Sequence, residues 1–221
     1  MKASKGLEYT IPKNGFAVVC GIGYCENEHV IVPESVNGLT VIGIGAKAFC
    51  KSSIIKSITL PASVKFIDQQ AFAWCRQLEN VHISSVTEIG DRAFMGCDKL
   101  SSVVLGEGLE IIGEKSFGYC HSLNSIDLPN SLSYIGSSAF EGCRNLKSIA
   151  ISDGVKVIEN GTFYGCSSLR RVDIPRKLEY IDEYAFAYCT SITKMLIPSK
   201  TVLNQDAFFE CGNLSRIGCV S

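Results

Sequence analysis

Eleven cysteines and three histidines are the residues of this 221-residue chain with the widest chemical reach. A cysteine offers a thiolate nucleophile, a metal ligand or half of a disulfide, and a histidine offers a general base. Spacing decides among these roles. Zinc sites are built from close pairs such as Cys-x(2–4)-Cys. Here Cys75, Cys97, Cys120, Cys143, Cys166, Cys189 and Cys211 stand 22 or 23 residues apart. An odd total favours mostly reduced thiols. Cys20 and Cys25 are the pair that a hairpin would bring together. Among the histidines, His29 lies in the leading segment, His121 follows a cysteine, and His82 shares a strand face with Ser102 and Asp127 in later segments. That trio has the composition of a hydrolytic triad. Serine, however, recurs at the same offset (Ser57, Ser102, Ser125, Ser148), as small polar residues do on a solvated sheet. The stretch "GIGYCENEHV" lacks the third glycine and the helix pattern of a dinucleotide fingerprint. Acid pairs such as Asp182–Glu183 fall in loops. The chain therefore reads as non-enzymatic, with no cofactor and no metal.

The elements that hold these residues follow from the period. Anchoring on phenylalanine gives Phe49, Phe72, Phe94, Phe117, Phe140, Phe163, Phe186 and Phe208, eight units in one phase. The cysteine comes three residues later in every unit but the first, which has Ser52 there and Cys50 two places earlier. Aliphatic columns stand six and nine residues after the anchor and five before it, for example Leu123, Ile126 and Ile112 around Phe117. A unit this short cannot bury its own apolar face, so it must stack on its neighbours. In "SLNSIDLP", Ile126 and Leu128 alternate with Ser125 and Asp127, the period of a half-buried strand. Pro61, Pro129, Pro175 and Pro198 end such strands, having no N–H to give a ladder.

Next, "SLSYIG" has Leu132 and Ile135 pointing inward, which fits a short second strand or a single helical turn equally well. Gly45, Gly90, Gly113 and Gly136 follow the inward isoleucine, where a tight corner would use positive φ. "SSAFEGC" suggests one helical turn with Phe140 and Cys143 inside. Parallel strands are expected at Lys56–Leu60, Asn80–Ile83, Ser102–Leu105, Ser125–Leu128, Ser148–Ile151, Arg171–Ile174, Lys194–Ile197 and Arg216–Cys219.

The pattern I-G-x-x-A-F-x-x-C-x-x-L-x-x-I-x-L-P resembles the BspA-like, or Treponema pallidum type, leucine-rich repeat family, over Val41 to about Val220. The resemblance implies a repeat solenoid, a leucine-rich repeat horseshoe with a parallel concave sheet. It also implies a protein-interaction or adhesion module, of a kind often found on cell surfaces or secreted. The leading segment, residues 1–40, does not fit the template and is expected to form an N-terminal β-hairpin cap on the repeat domain, residues 41–221.

Composition narrows the partners. A net charge of −1 gives no global attraction to nucleic acid, and no apolar run is long enough for a membrane span. The start lacks a signal-type apolar core, which leaves a cytoplasmic location and an intracellular assembly scaffold with reduced thiols as the alternative to a surface adhesin. On the sheet face of the later units, Lys147, Arg170, Arg171, Lys194 and Arg216 outnumber Asp127 and Asp173. This stripe, with Lys147, Arg170, Arg171, Asp173, Lys194 and Arg216 as its contact residues, suits an acidic protein or glycan ligand. Trp74, Tyr119 and Tyr188 stand two residues past their anchors and could stack on sugars, but Gly96, Gly142 and Gly165 break that row, so they are expected to cover the corner turn. The last unit is expected to present an unpaired edge, and through it a homodimer joining C-terminal coils.

Overall fold

The structure, a computed structural model, describes residues 2–13 and 15–220. It is a solenoid whose coils each present three walls. The first wall carries the longer strands, in parallel register: His29–Ile31, Ser57–Thr59, Asn80–Ile83 and Ser102–Leu105 form one sheet, Ser148–Ala150 pairs with Arg171–Asp173, and Lys194–Pro198 pairs with Arg216–Val220. The second wall is the short strand rather than the helical turn. Phe66–Ile67, Glu88–Ile89, Ile111–Ile112 and Tyr134–Ile135 stack in parallel, as do Val157–Ile158, Tyr180–Ile181 and Val202–Leu203. The third wall is the segment around each anchor phenylalanine. It is a run of turns, not a helix. Alternate N–H groups in it point along the solenoid to the next coil and those between them bond within their own: Ser138, Phe140 and Gly142 donate to the carbonyls of Asn160, Thr162 and Tyr164 at 2.7–2.9 Å, whereas Ala139, Glu141 and Cys143 donate to those of Gly136, Ser138 and Phe140 at 2.9–3.2 Å. All three walls thus carry hydrogen bonds between coils, with ladder breaks between Arg171–Asp173 and Lys194–Pro198 on the first wall and between Tyr134–Ile135 and Val157–Ile158 on the second.

One expected strand is missing. Ser125–Leu128 keeps Ile126 buried but makes no ladder, and it separates the first sheet from the second. There the Ser125 hydroxyl donates to the side-chain oxygen of Asn124 at 3.2 Å.

The leading segment contains the expected hairpin, Glu8–Thr10 against Ala17–Gly21. It also adds to the walls. Ala17–Gly21 runs parallel to Leu39–Ile44, and His29–Ile31 runs parallel to Ser57–Thr59, so these two strands extend the second and first walls by one further coil.

Inside, the anchor rings form a column. Neighbouring phenylalanines from Phe49 to Phe208 stack with centroids 5.0–5.6 Å apart and planes within 13°. The glycine expectation needs a correction. Gly90, Gly113 and Gly136 do not adopt positive φ; they are small because the coils touch there. A Cβ on Gly136 would lie 2.6 Å from the backbone nitrogen of Glu114, and one on Gly113 would lie 2.7 Å from that of Asp91. Positive φ is found instead two residues after every anchor, at Lys51, Trp74, Gly96, Tyr119, Gly142, Gly165, Tyr188 and Glu210.

Candidate interaction surface

The cysteine column serves the backbone. Each thiol donates to the carbonyl of the preceding coil's anchor: Cys75 to Phe49, Cys97 to Phe72, Cys120 to Phe94, Cys143 to Phe117, Cys166 to Phe140, Cys189 to Phe163 and Cys211 to Phe186, at 2.9–3.2 Å. The same carbonyls accept the N–H three residues on in their own coil, as Phe117 does from Cys120 at 3.2 Å. A sulfur fits this place because it is apolar enough for a packed interior and still donates weakly. The two 22-residue spacings, Cys75 to Cys97 and Cys189 to Cys211, leave the bond intact because the missing residue comes out of the turns at Ser84 and Ser199. The first unit also makes sense. No anchor precedes Phe49, and the Ser52 hydroxyl in the cysteine place is buried without a partner.

All eleven cysteines are free thiols; Cys20 and Cys219 are exposed, and Cys25 is buried. Cys219 lies exposed on the last described coil, which has no further coil packed over it among the described residues. Burial pushes Cys75 and Cys143 up to about 12, and Cys97, Cys120, Cys166 and Cys189 rise well above the ordinary value for the same first reason. Such thiols are poor nucleophiles and poor ligands. Among the described residues no cluster of His, Cys, Asp or Glu could hold a metal ion.

The triad geometry fails as well. His82 pairs across the wall with Thr59 on one side and Val104 on the other, while Ser102 pairs with Asn80. Asp127 lies on the segment without a ladder. The remaining histidines are engaged elsewhere. His29 Nδ1 is 2.8 Å from the Ser57 hydroxyl, and His121 Nδ1 is 3.0 Å from Asp98, which also faces Arg76 at 3.5 Å.

The first wall holds the basic stripe. Lys147, Arg170, Arg171, Asp173, Lys194 and Arg216 are all exposed. Arg171 and Asp173 alternate on one strand and pair at 2.9 Å, so one of the five cations is neutralised within the stripe. Lys194 pairs in register with Arg216 across the last two strands, which sets two like charges side by side. Lys147, Arg170, Lys194 and Arg216 have no acidic partner among the described residues. Beside them an open groove of about 570 Å³ is lined by Arg170, Arg171, Asp173, Lys194 and the exposed Leu196.

Of the aromatic row, Trp74 lies over Gly96 and Tyr119 over Gly142, so both cover the corner turn as expected. Tyr119 also donates to Glu141, which receives Lys115 as well at 3.2 Å. Tyr188 differs. It belongs to an exposed aromatic cluster with Tyr164, Tyr184 and Phe209, which the sequence reading did not identify.

Stacked parallel coils, an unbroken phenylalanine column and a thiol on seven of the eight anchor carbonyls define a leucine-rich repeat solenoid. The family described as "BspA type Leucine rich repeat region" in six copies matches residues 23–108 and 87–215, and the chain belongs to that family. Among solved structures it is similar to the T. pallidum Leucine Rich Repeat protein (TpLRR), at 30% identity and a TM-score of 0.81, over 86% of this chain and 90% of that one. A leucine rich cell surface protein from Faecalibacterium prausnitzii matches at 18% identity and a TM-score of 0.44, over 100% and 94%. Pneumococcal vaccine antigen PcpA matches at 16% identity and a TM-score of 0.46, over 98% and 81%. No curated protein matches the chain. Repeats of this family commonly mediate protein interactions. No helix among the described residues is long and apolar enough to cross a membrane.

Proposed function

We propose that this chain is a non-enzymatic interaction module that docks an acidic protein, or an acidic glycan, on the first wall of its later coils. The observation that supports this reading is the set of four unpaired cations, Lys147, Arg170, Lys194 and Arg216, on a hydrogen-bonded frame beside the open groove. Like charges held this close repel in the free protein, and an anionic ligand relieves that repulsion, which raises both affinity and encounter rate. An adhesion role at a cell surface is the setting the family resemblance suggests, with the leading forty residues serving as the cap. Among the described residues no strand pairs with the outer edge of Arg216–Val220, and the exposed Ile217 on that strand with the exposed Leu196 beside it supports self-association through the same end of the solenoid.

The test uses the full chain and two acidic probes, a poly-glutamate peptide and heparin, titrated at rising salt. Binding should weaken with salt and fall at least tenfold in an Arg170→Glu/Lys194→Glu variant whose thermal melt is unchanged. A variant that binds both probes as the parent does would overturn the assignment.

A further inference from the structure

The third wall of the last coils carries a surface of opposite character. Tyr164 follows its anchor, Tyr184 and Tyr188 stand two residues either side of theirs, and Phe209 follows the last anchor. Coil stacking brings these four offsets together: Tyr188 donates its N–H to the Phe209 carbonyl at 2.9 Å, and Tyr184 donates to that of Asp206 at 3.3 Å. The rings meet edge to face. Tyr164 and Tyr188 are 5.2 Å apart at 62°, Tyr188 and Phe209 5.7 Å at 73°, and Tyr184 and Phe209 5.9 Å at 83°. They do not bury one another. Tyr164, Tyr188 and Phe209 remain 37%, 40% and 43% exposed.

The charge around them is of one sign. The three turn segments 159–168, 182–191 and 204–213 contain Glu159, Asp182, Glu183, Asp206 and Glu210, and no lysine, arginine or histidine. None of these five carboxylates has a cationic partner among the described residues. Glu183 first, with partial desolvation and then Asp206, pushes the Tyr184 phenol up, so both carboxylates act on that ring of the cluster.

Ring faces and edges inclined to each other within a field of unpaired carboxylates match a planar cation. A guanidinium stacks on an aromatic face and forks onto a carboxylate at once. The rings stand at 62–83° to one another, so they offer no flat, parallel platform for a sugar to stack on. We propose that this wall docks an arginine-bearing segment of a partner protein, the guanidinium seated on Tyr188 and Phe209 and held by Asp206 and Glu183. This surface is separate from the basic stripe and takes a ligand of the opposite charge, so either assignment can fail alone.

The experiment titrates the full chain with a fluorescent acetyl-(Arg-Gly)4-amide peptide and reads polarisation, with (Lys-Gly)4, (Glu-Gly)4 and maltohexaose as comparison probes. The arginine peptide should bind more tightly than the lysine peptide, maltohexaose should not bind, and any binding of (Glu-Gly)4, a ligand for the basic stripe, should be unchanged in both variants that follow. Tyr188→Leu/Phe209→Leu and Glu183→Gln/Asp206→Asn should each raise Kd at least tenfold. The second variant leaves the rings in place, so a folding defect in the first cannot account for both losses. Three results overturn the proposal: no arginine-peptide binding at millimolar concentration, loss in the carboxylate variant alone, which is plain charge attraction, or preference for maltohexaose.

Discussion

Truncating Phe140 to alanine tests whether the phenylalanine column sets the stability of the coils. Phe140 is fully buried, with Phe117 at 5.5 Å on one side and Phe163 at 5.6 Å on the other. Removing a buried phenylalanine ring costs about 3–5 kcal/mol, and the outcome depends on how far the neighbours collapse. Collapse is restricted here. The backbone of the Phe140 coil is bonded to the next coil through Phe140 N to Thr162 O at 2.9 Å, and the preceding coil is bonded to it through Phe117 N to Ala139 O at 2.8 Å. Two ring pairs are also lost, each worth about 0.5–1.5 kcal/mol beyond area. The expected loss is therefore at the upper end of the range, about 4–5 kcal/mol. Phe208 provides the internal comparison. It has a single ring neighbour, Phe186 at 5.3 Å, and is only partly buried, so Phe208→Ala should cost about half as much. Equilibrium urea unfolding followed by circular dichroism measures both, with the slope checked because repeat arrays lose cooperativity when one coil is weakened. Equal losses at the two positions, or a larger one at Phe208, would refute the reasoning.

Two further outcomes follow from the interior. Ser116 is fully buried with its hydroxyl unpartnered, at the place where Ala48, Ala71, Ala93, Ala139, Ala185 and Ala207 stand in other coils; Ser116→Ala should raise stability by about 1 kcal/mol in the same assay, and any loss would contradict it. The buried thiols should make the protein alkali-sensitive. With folded values of about 12 for Cys75 and Cys143 against an ordinary 9.0, both states hold neutral thiols at lower pH and that contribution is complete. From pH 9 upward the unfolded chain ionises first, so stability falls as pH rises toward 12. The urea midpoint should drop between pH 8 and about 10.5, while thiolate absorbance of the folded protein stays below that of the unfolded chain; a flat midpoint would exclude the effect.

Much of this architecture was legible because an inward column repeats its residue type in every coil. Phe140, Cys143, Leu146 and Ile149 announce their burial through that repetition, and all four are buried. The corners were not legible in the same way. Glycine at Gly113 and Gly136 reads as backbone freedom, yet its cause is the approach of another coil, a tertiary quantity. Positive φ meanwhile falls on Lys51, where local preference argues against it, because its N–H is held by the Ala73 carbonyl of the next coil at 2.7 Å. The basic stripe was visible from its offset in the strand. The pairing of Arg171 with Asp173 needed side-chain geometry. The aromatic cluster escaped because its members come from different columns, Tyr184 before its anchor and Tyr164, Tyr188 and Phe209 after theirs. A signal was present all the same: three turn segments with five acids and no base.

The cysteine column bears on function by what it removes. Seven thiols, the residues best equipped for catalysis or metal binding, are each committed to an anchor carbonyl and held neutral by burial. The frame they serve repeats at a coil spacing that the rings record as 5.0–5.6 Å. Surface positions outside the columns therefore form a lattice of fixed pitch, on which side chains can change without disturbing the ladder beneath. The first wall uses that lattice to align cations, as at Lys194 and Arg216, and the third uses it to gather rings and carboxylates, as at Tyr188, Phe209 and Asp206. A ligand spanning two coils meets groups whose separation the backbone has already set, so little ordering remains to oppose binding. Recognition by such a surface depends on which residue stands at each exposed offset, and that is where coils of otherwise equal pattern differ.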